Sequence, residues 1–135
     1  MSKKIFINIP VKDLPKASAF YESVGFTINP SFSDDTAFCM VLSEEIYVML
    51  LTYTKFKEFT SKQISDTVHN ASALFSVSLD SVENVNKMLE KALKAGGKEP
   101  MPPKDYGFMQ LRGFEDLDGH LWEVFYMDLT KFPQK

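Results

Sequence analysis

The hydrophobic positions in the first half of the chain alternate in some stretches and recur at helical spacing in others. Residues 4–13 place isoleucines at alternate positions, which predicts a strand with one apolar face. Residues 13–25 predict a helix, because an aspartate can cap its start, a proline occupies its first turn and a glycine ends it. A short strand at residues 26–30 and a hairpin at residues 36–52 follow, so the expected order is β-α-β-β-β.

The second half of the chain repeats this order. An alternating strand that begins near residue 73 leads into a helix with a D-x-x-E capping box from Asp80 to Glu83. A short strand is expected at residues 98–102. A hairpin built around a D-L-D-G turn is expected at residues 106–128.

The repeated order indicates one α+β domain, residues 1–135, built from two similar modules. We expect module one at about residues 3–54, a linker at about 55–72 and module two at about 73–129. Each module would curl a sheet with its helix on the outer face, and the two sheets would enclose a cleft. The linker begins with a short helical stretch and then turns polar, so we interpret it as either a lid or a plain linker.

Composition and charge narrow the classes of function. The 12 Phe and 7 Met suit a core or an adaptable apolar pocket. Fifteen basic and 18 acidic residues give a net charge of −3 without a basic run, so we expect no nucleic-acid partner. The single Cys39 excludes an internal disulfide and fits a reducing cytoplasm. We read no signal peptide at the start and no stretch of membrane-spanning length, so we expect a cytoplasmic protein without a membrane partner.

One carboxylate interrupts the last apolar strand. Glu123 lies among leucine, tryptophan, valine and phenylalanine, where a buried, unpaired charge is costly. Either it reaches water or an arginine at a partly open strand end, or it faces a cleft and holds a ligand or acts as a base. His120, which follows the turn glycine, is expected at the surface.

The turn geometry decides whether Arg112 is a counter-ion for Glu123. With a two-residue turn, Phe114 faces Glu123, and Arg112 is its diagonal neighbour on the same face. With a three-residue turn and Gly119 in a left-handed conformation, Gly113 faces Glu123 and Arg112 points away. The D-x-D-G pattern favours the second arrangement slightly, and the sequence leaves both open.

Two segments and the internal repeat together resemble the vicinal oxygen chelate superfamily, which includes glyoxalase I, extradiol dioxygenases, and fosfomycin- and bleomycin-resistance proteins. Residues 8–26 resemble its pattern of strand, V-x-D, helix, F-Y and G-F. Residues 107–128 resemble its closing hairpin, R-x-F-x-D-x-D-G-x-x-W-E. The chain looks like a small bacterial glyoxalase-like protein. The resemblance implies the glyoxalase/bleomycin-resistance/dioxygenase fold.

The resemblance also implies a divalent metal, because the superfamily usually binds one through four strand positions. Those positions fall on Phe6, near Leu50, near Leu74 and on Glu123. Phenylalanine and leucine cannot coordinate a metal, and a lone carboxylate does not hold one against water. We therefore expect no cofactor, with a divalent metal bound through other ligands as the alternative.

These expectations favour a protein that binds a small organic molecule in the cleft between its modules. The predicted ligand-binding residues are Phe6, Asn8, Leu50, Leu74 and Glu123, with Glu123 as the sole charged anchor and best catalytic candidate. The alternatives are a glyoxalase-like lyase or dioxygenase with non-standard metal ligands, and a structural or interaction dimer. A homodimer is expected because the superfamily usually pairs modules within or between chains; the sequence does not distinguish these.

Overall fold

The computed structural model describes residues 3–132, and within them the strands form two separate four-stranded sheets. The chain divides into two compact units between Asp66 and Thr67, inside the segment predicted to be a linker. The elements, in chain order, are β1 (Ile5–Val11), α1 (Leu14–Ser23), β2 (Thr27–Asn29), β3 (Ala37–Val41), β4 (Ile46–Thr52), α2 (Tyr53–Phe56), β5 (Leu74–Ser78), α3 (Val82–Lys94), β6 (Lys104–Asp105), β7 (Met109–Glu115) and β8 (Leu121–Met127). This order confirms the predicted α+β class and the two β-α-β-β-β modules.

The first unit has the strand order β1-β4-β3-β2, with β1 and β4 parallel and the other neighbours antiparallel. Helix α1 begins after Asp13, whose carboxylate accepts a hydrogen bond from the amide three residues later at 3.0 Å. The chain leaves the helix through Gly25, whose φ of 114° favours glycine. Ser18 of α1 contacts Met40 of β3, so α1 covers the face of the sheet that carries Met40.

The second unit repeats this topology with the strand order β5-β8-β7-β6, and β5 and β8 are its parallel pair. Helix α3 packs against β7 and β8. The buried apolar side chains of this unit come from α3 and from one face of the two central strands: Val85, Leu89, Ala92, Phe114, Trp122 and Val124. Each module therefore has one sheet face that its own helix covers and one that it does not. None of the helices within residues 3–132 is long and apolar enough to cross a membrane.

Two local predictions for the second module were wrong. The cap of α3 is Ser81 and not Asp80, because the backbone is still extended at Ser81 and its hydroxyl accepts from the Asn84 amide at 3.0 Å. The short strand lies at Lys104–Asp105 and not at residues 98–102. Prolines at positions 100, 102 and 103 lack the N–H that a ladder needs, so only a single bridge from Lys98 forms before them.

Candidate functional site

The candidate site is the face of the second sheet that lies opposite α3. Neighbouring residues of a strand point to opposite sides, so the strand register fixes which side chains share this face. We call it the Glu123 face, and its central positions are Leu74, Ser76, Leu111, Gly113, Leu121, Glu123 and Phe125. None of these residues is buried, whereas the opposite face carries the buried Phe114, Trp122 and Val124. The face is mostly apolar and accessible, with one carboxylate at its centre.

The register of the closing hairpin places Gly113 directly opposite Glu123. Gly119 has a φ of 88°, and the turn spans three residues between Asp116 and His120. This is the second of the two arrangements that the sequence left open. Arg112 consequently points to the other side of the sheet, away from Glu123.

Arg112 is held by a different carboxylate. Its Nε and Nη2 atoms donate to the two oxygens of Glu99 at 2.9 and 2.8 Å, and Nη1 donates to Asn86 Oδ1 at 3.0 Å. The hydrogen bonding that Arg112 donates to Glu99 is the main cause that raises the pKa of the Arg112 guanidinium. The arginine joins α3, the segment before β6 and β7, so it is not the counter-ion of Glu123.

Glu123 has one hydrogen-bond partner among the described residues. The exposed hydroxyl of Ser76, its neighbour on β5, donates to Glu123 Oε1 at 2.9 Å. On the other side Gly113 offers no side chain, and along β8 the same-face neighbours are Leu121 and Phe125. No ion pair within residues 3–132 involves Glu123.

A second carboxylate lies diagonally across this face. Glu115 of β7 pairs with Leu121, two positions from the pair formed by Gly113 and Glu123. Lys98 forms an antiparallel bridge with Glu115 and is its immediate cross-strand neighbour. The positive charge on this edge is therefore next to Glu115, and the centre of the face stays anionic.

The prediction that His120 lies at the surface was wrong. His120 is only 9% exposed, because residues of the predicted linker, at positions 67 and 68, cover the turn of the hairpin. The Thr67 hydroxyl donates to the carbonyl oxygen of Asp118. Asp116 Oδ1 accepts from the amides of Asp118 and His120, both at 2.9 Å. These contacts form a buried polar turn that fixes the start of β8 and hence the register of Glu123.

The predicted residues of the first unit divide between the two faces of its sheet. Phe6 and Asn8 are exposed and lie on the face opposite α1, where Phe6 stacks on Tyr47 at 4.4 Å. Leu50 pairs with Ile9 on the α1 side and is fully buried. The residue of β4 beside Asn8 on the shared face is Met49. The structure thus brings Phe6 and Asn8 together and sends Leu50 to the core.

The internal repeat identifies equivalent positions in the two units. Phe6 and Leu74 both lie seven residues before the N-cap of the following helix. Asn8 pairs with Met49 in the first unit, as Ser76 pairs with Glu123 in the second. Met49 is therefore the structural equivalent of Glu123. The sequence pattern missed it because the apolar run of β4 offers no alternation that separates its two faces.

The side chains at the four equivalent positions do not fit a divalent metal. Phenylalanine and leucine have no donor atoms, and a thioether with one carboxylate is a poor set for the metals that prefer imidazole and oxygen ligands. Within residues 3–132, no group of three or more His, Cys, Asp or Glu side chains is arranged to hold a metal ion.

Comparisons with known proteins identify the family to which the chain belongs. A family model described as the Glyoxalase/Bleomycin resistance protein/Dioxygenase superfamily matches residues 5–124. A search of curated proteins found no match. Among solved structures, hypothetical protein SA1046 from S. aureus is 26% identical, with a TM-score of 0.77 over 93% of this chain and 94% of that one.

Two further structures share the fold at lower identity. FosX, a genomically encoded fosfomycin resistance protein from Listeria monocytogenes, is 18% identical, with a TM-score of 0.69 over 97% of this chain and 98% of that one. A glyoxalase/bleomycin resistance protein/dioxygenase family enzyme from Burkholderia phytofirmans PsJN is 16% identical, with a TM-score of 0.76 over 93% and 99%. At these identities the likeness shows the fold alone.

Proposed function

Because the chain belongs to the Glyoxalase/Bleomycin resistance protein/Dioxygenase superfamily, we propose that it binds a small organic molecule on the Glu123 face without a divalent metal. The observation that carries this proposal is the position of Glu123. Its half-buried carboxylate is central on an accessible apolar face, and within residues 3–132 its one hydrogen-bond partner is the Ser76 hydroxyl. Apolar surface with a few placed polar groups is the usual composition of a small-molecule site.

We propose binding without a metal because of the side chains at the four positions where the family usually has metal ligands. Phe6, Met49 and Leu74 leave Glu123 as the one strong ligand. Metal analysis of the purified protein, followed by thermal shift with nickel, zinc, iron and manganese, tests this step. We expect no stoichiometric metal and equal shifts for wild type and Glu123→Gln. One tightly held metal per chain would overturn the step and favour a lyase or dioxygenase with ligands elsewhere.

Ligand binding is tested by a thermal-shift screen of small organic molecules against three proteins. These are wild type, Glu123→Gln and Glu83→Gln, the last of which removes one carboxylate charge from an exposed position on α3. We expect compounds that stabilise wild type and Glu83→Gln but not Glu123→Gln. A screen in which Glu123→Gln keeps every hit would show that the ligand lies elsewhere.

The contribution of the first module stays a prediction. Phe6 and Asn8 share an exposed face, and Asn8 donates to the Phe6 carbonyl at 3.2 Å. If this face binds any of the hits, Asn8→Ala weakens binding of those compounds, while an alanine in place of the exposed Ser43 does not. A homodimer in a cytoplasmic location completes the proposal, and light scattering of the purified protein tests the dimer. A dimer that binds no compound would favour the structural role.

A further inference from the structure

The Glu123 carboxylate has one oxygen, Oε2, that accepts no hydrogen bond from the described residues, and Gly113 is its cross-strand neighbour. Ser76 occupies Oε1, and no described residue donates a hydrogen bond to Oε2. The directly adjacent positions on the face are a serine, a glycine, a leucine and a phenylalanine. The diagonal carboxylate of Glu115 has Lys98 as its own cross-strand neighbour, so the charge that selects an incoming positive group is that of Glu123.

Gly113 presents no side chain opposite Glu123. Its φ lies outside the left-handed region, so the backbone conformation does not require glycine. A Cβ atom there would lie 4.0 Å from Glu123 Cγ and 3.1 Å from the Trp122 carbonyl oxygen. A glycine inside a strand often marks a bulge, a bend, or a close approach by a ligand or by another backbone, and the Trp122 carbonyl is such a backbone neighbour here. The missing side chain leaves one flank of the carboxylate uncovered.

The remaining surface suits hydrocarbon rather than further charge. Leu74 is 59% exposed, and Leu111, Leu121 and Phe125 on the same face are half-buried. A bare divalent ion would find one carboxylate and one hydroxyl, too few ligands to replace its water. An organic ammonium or guanidinium, by contrast, can donate to Glu123 Oε2 while its apolar body covers the leucines.

We infer that the ligand class is an organic cation, an ammonium or guanidinium group on an apolar body, whose charged head lies in the notch between Glu123 and Gly113. This inference rests on the proposed function and names its substrate class. Gly113 is then the residue that determines whether a cationic head fits.

The test compares three probes that differ in one terminal group: 2-phenylethylamine, 2-phenylethanol and 3-phenylpropionate. Binding to the full chain is measured by NMR titration, with amide resonances as the readout. We expect the amine to bind about tenfold or more tightly than the alcohol and the acid, which corresponds to about 1.4 kcal/mol or more. The largest shifts should fall on Ser76, Gly113 and Glu123.

Two variants locate the cation. Glu123→Gln should weaken binding of the amine about tenfold and leave binding of the alcohol nearly unchanged, because only the charge–charge contact is lost. Gly113→Ala should weaken the amine more than the alcohol, because its Cβ occupies the notch. If Gly113→Ala unfolds, Ser76→Ala serves instead, with a few-fold loss for the amine. Amide spectra of each variant establish that it is folded.

The outcomes separate the two levels of the argument. Equal affinity for amine and alcohol, or tighter binding of the acid, overturns the cation inference and leaves the small-molecule proposal standing. Amine binding that survives Glu123→Gln overturns the placement in the notch. If neither these probes nor any compound of the thermal-shift screen binds, the proposed function and the inference both fail.

Discussion

The contact between the hairpin turn and residues 67–68 of the predicted linker predicts a large difference between two glycine substitutions. Gly119 and Gly107 have nearly equal φ values, 88° and 84°. An alanine at either position costs about 1–2 kcal/mol for the left-handed backbone. At Gly107 the added Cβ would meet nothing within 4 Å. At Gly119 it would collide with the Thr67 carbonyl and lie 2.9 Å from Val68 Cα.

The collision at Gly119 involves backbone atoms, so it cannot be relieved by a rotamer change. Overpacking of this kind typically costs about 1–3 kcal/mol. We therefore expect Gly107→Ala to lower the free energy of unfolding by about 1–2 kcal/mol and Gly119→Ala by about 2–5 kcal/mol. Part of the second loss would be the hydrogen bond from the Thr67 hydroxyl to the Asp118 carbonyl.

Urea denaturation followed by the fluorescence of Trp122 measures both variants. Trp122 is the single tryptophan of the chain, is 2% exposed and lies on β8 of the same unit as both glycines. The difference between the two variants isolates the steric contribution because the backbone strain is matched. Equal losses for Gly107→Ala and Gly119→Ala would refute the reasoning, since they would mean that residues 67–68 do not press on the turn.

Three other predictions concern the caps, the arginine and the cysteine. Ser81→Ala should lower the free energy of unfolding, measured by urea denaturation, by about 1 kcal/mol, and Asp80→Ala by less than about 0.5 kcal/mol, because Ser81 and not Asp80 caps α3. A larger loss for Asp80→Ala than for Ser81→Ala would mean that Asp80 is the cap. Glu99→Gln should cost about 1–3 kcal/mol in the same assay, because the Arg112 guanidinium loses its charged partner; an unchanged midpoint would contradict this. Cys39 should react with a thiol reagent only in denaturant, because it is fully buried and burial raises the pKa of its thiol; rapid native labelling would contradict this.

Most of the fold could be read from the sequence because its local signals agree with one another. The alternation in β1, the cap at Asp13 and the left-handed Gly25 each mark a boundary that the structure reproduces. The D-x-D-G turn likewise favoured one of two possible hairpin registers, and its glycine has the conformation that a three-residue turn needs. Such features depend on residues close in sequence, which a pattern can show.

The failures came from contacts between residues far apart in sequence. His120 is buried because Thr67 and its neighbours lie on the turn, more than 50 residues away along the chain. Leu50 and Met49 stand in one continuous apolar run, and only their pairing with β1 assigns them to opposite faces. Local propensity contains no information about these pairings.

The repeat supports the inferred preference for an organic cation over a metal. The paired positions Asn8–Met49 and Ser76–Glu123 occupy the same place in the two modules. In the first module the pair is neutral, and Asn8 donates to a backbone carbonyl. In the second module it is anionic, with a hydroxyl that orients the carboxylate. A metal requires several strong donors at these positions. An ammonium or guanidinium needs one carboxylate with an oxygen that can accept a hydrogen bond, and Glu123 provides that carboxylate.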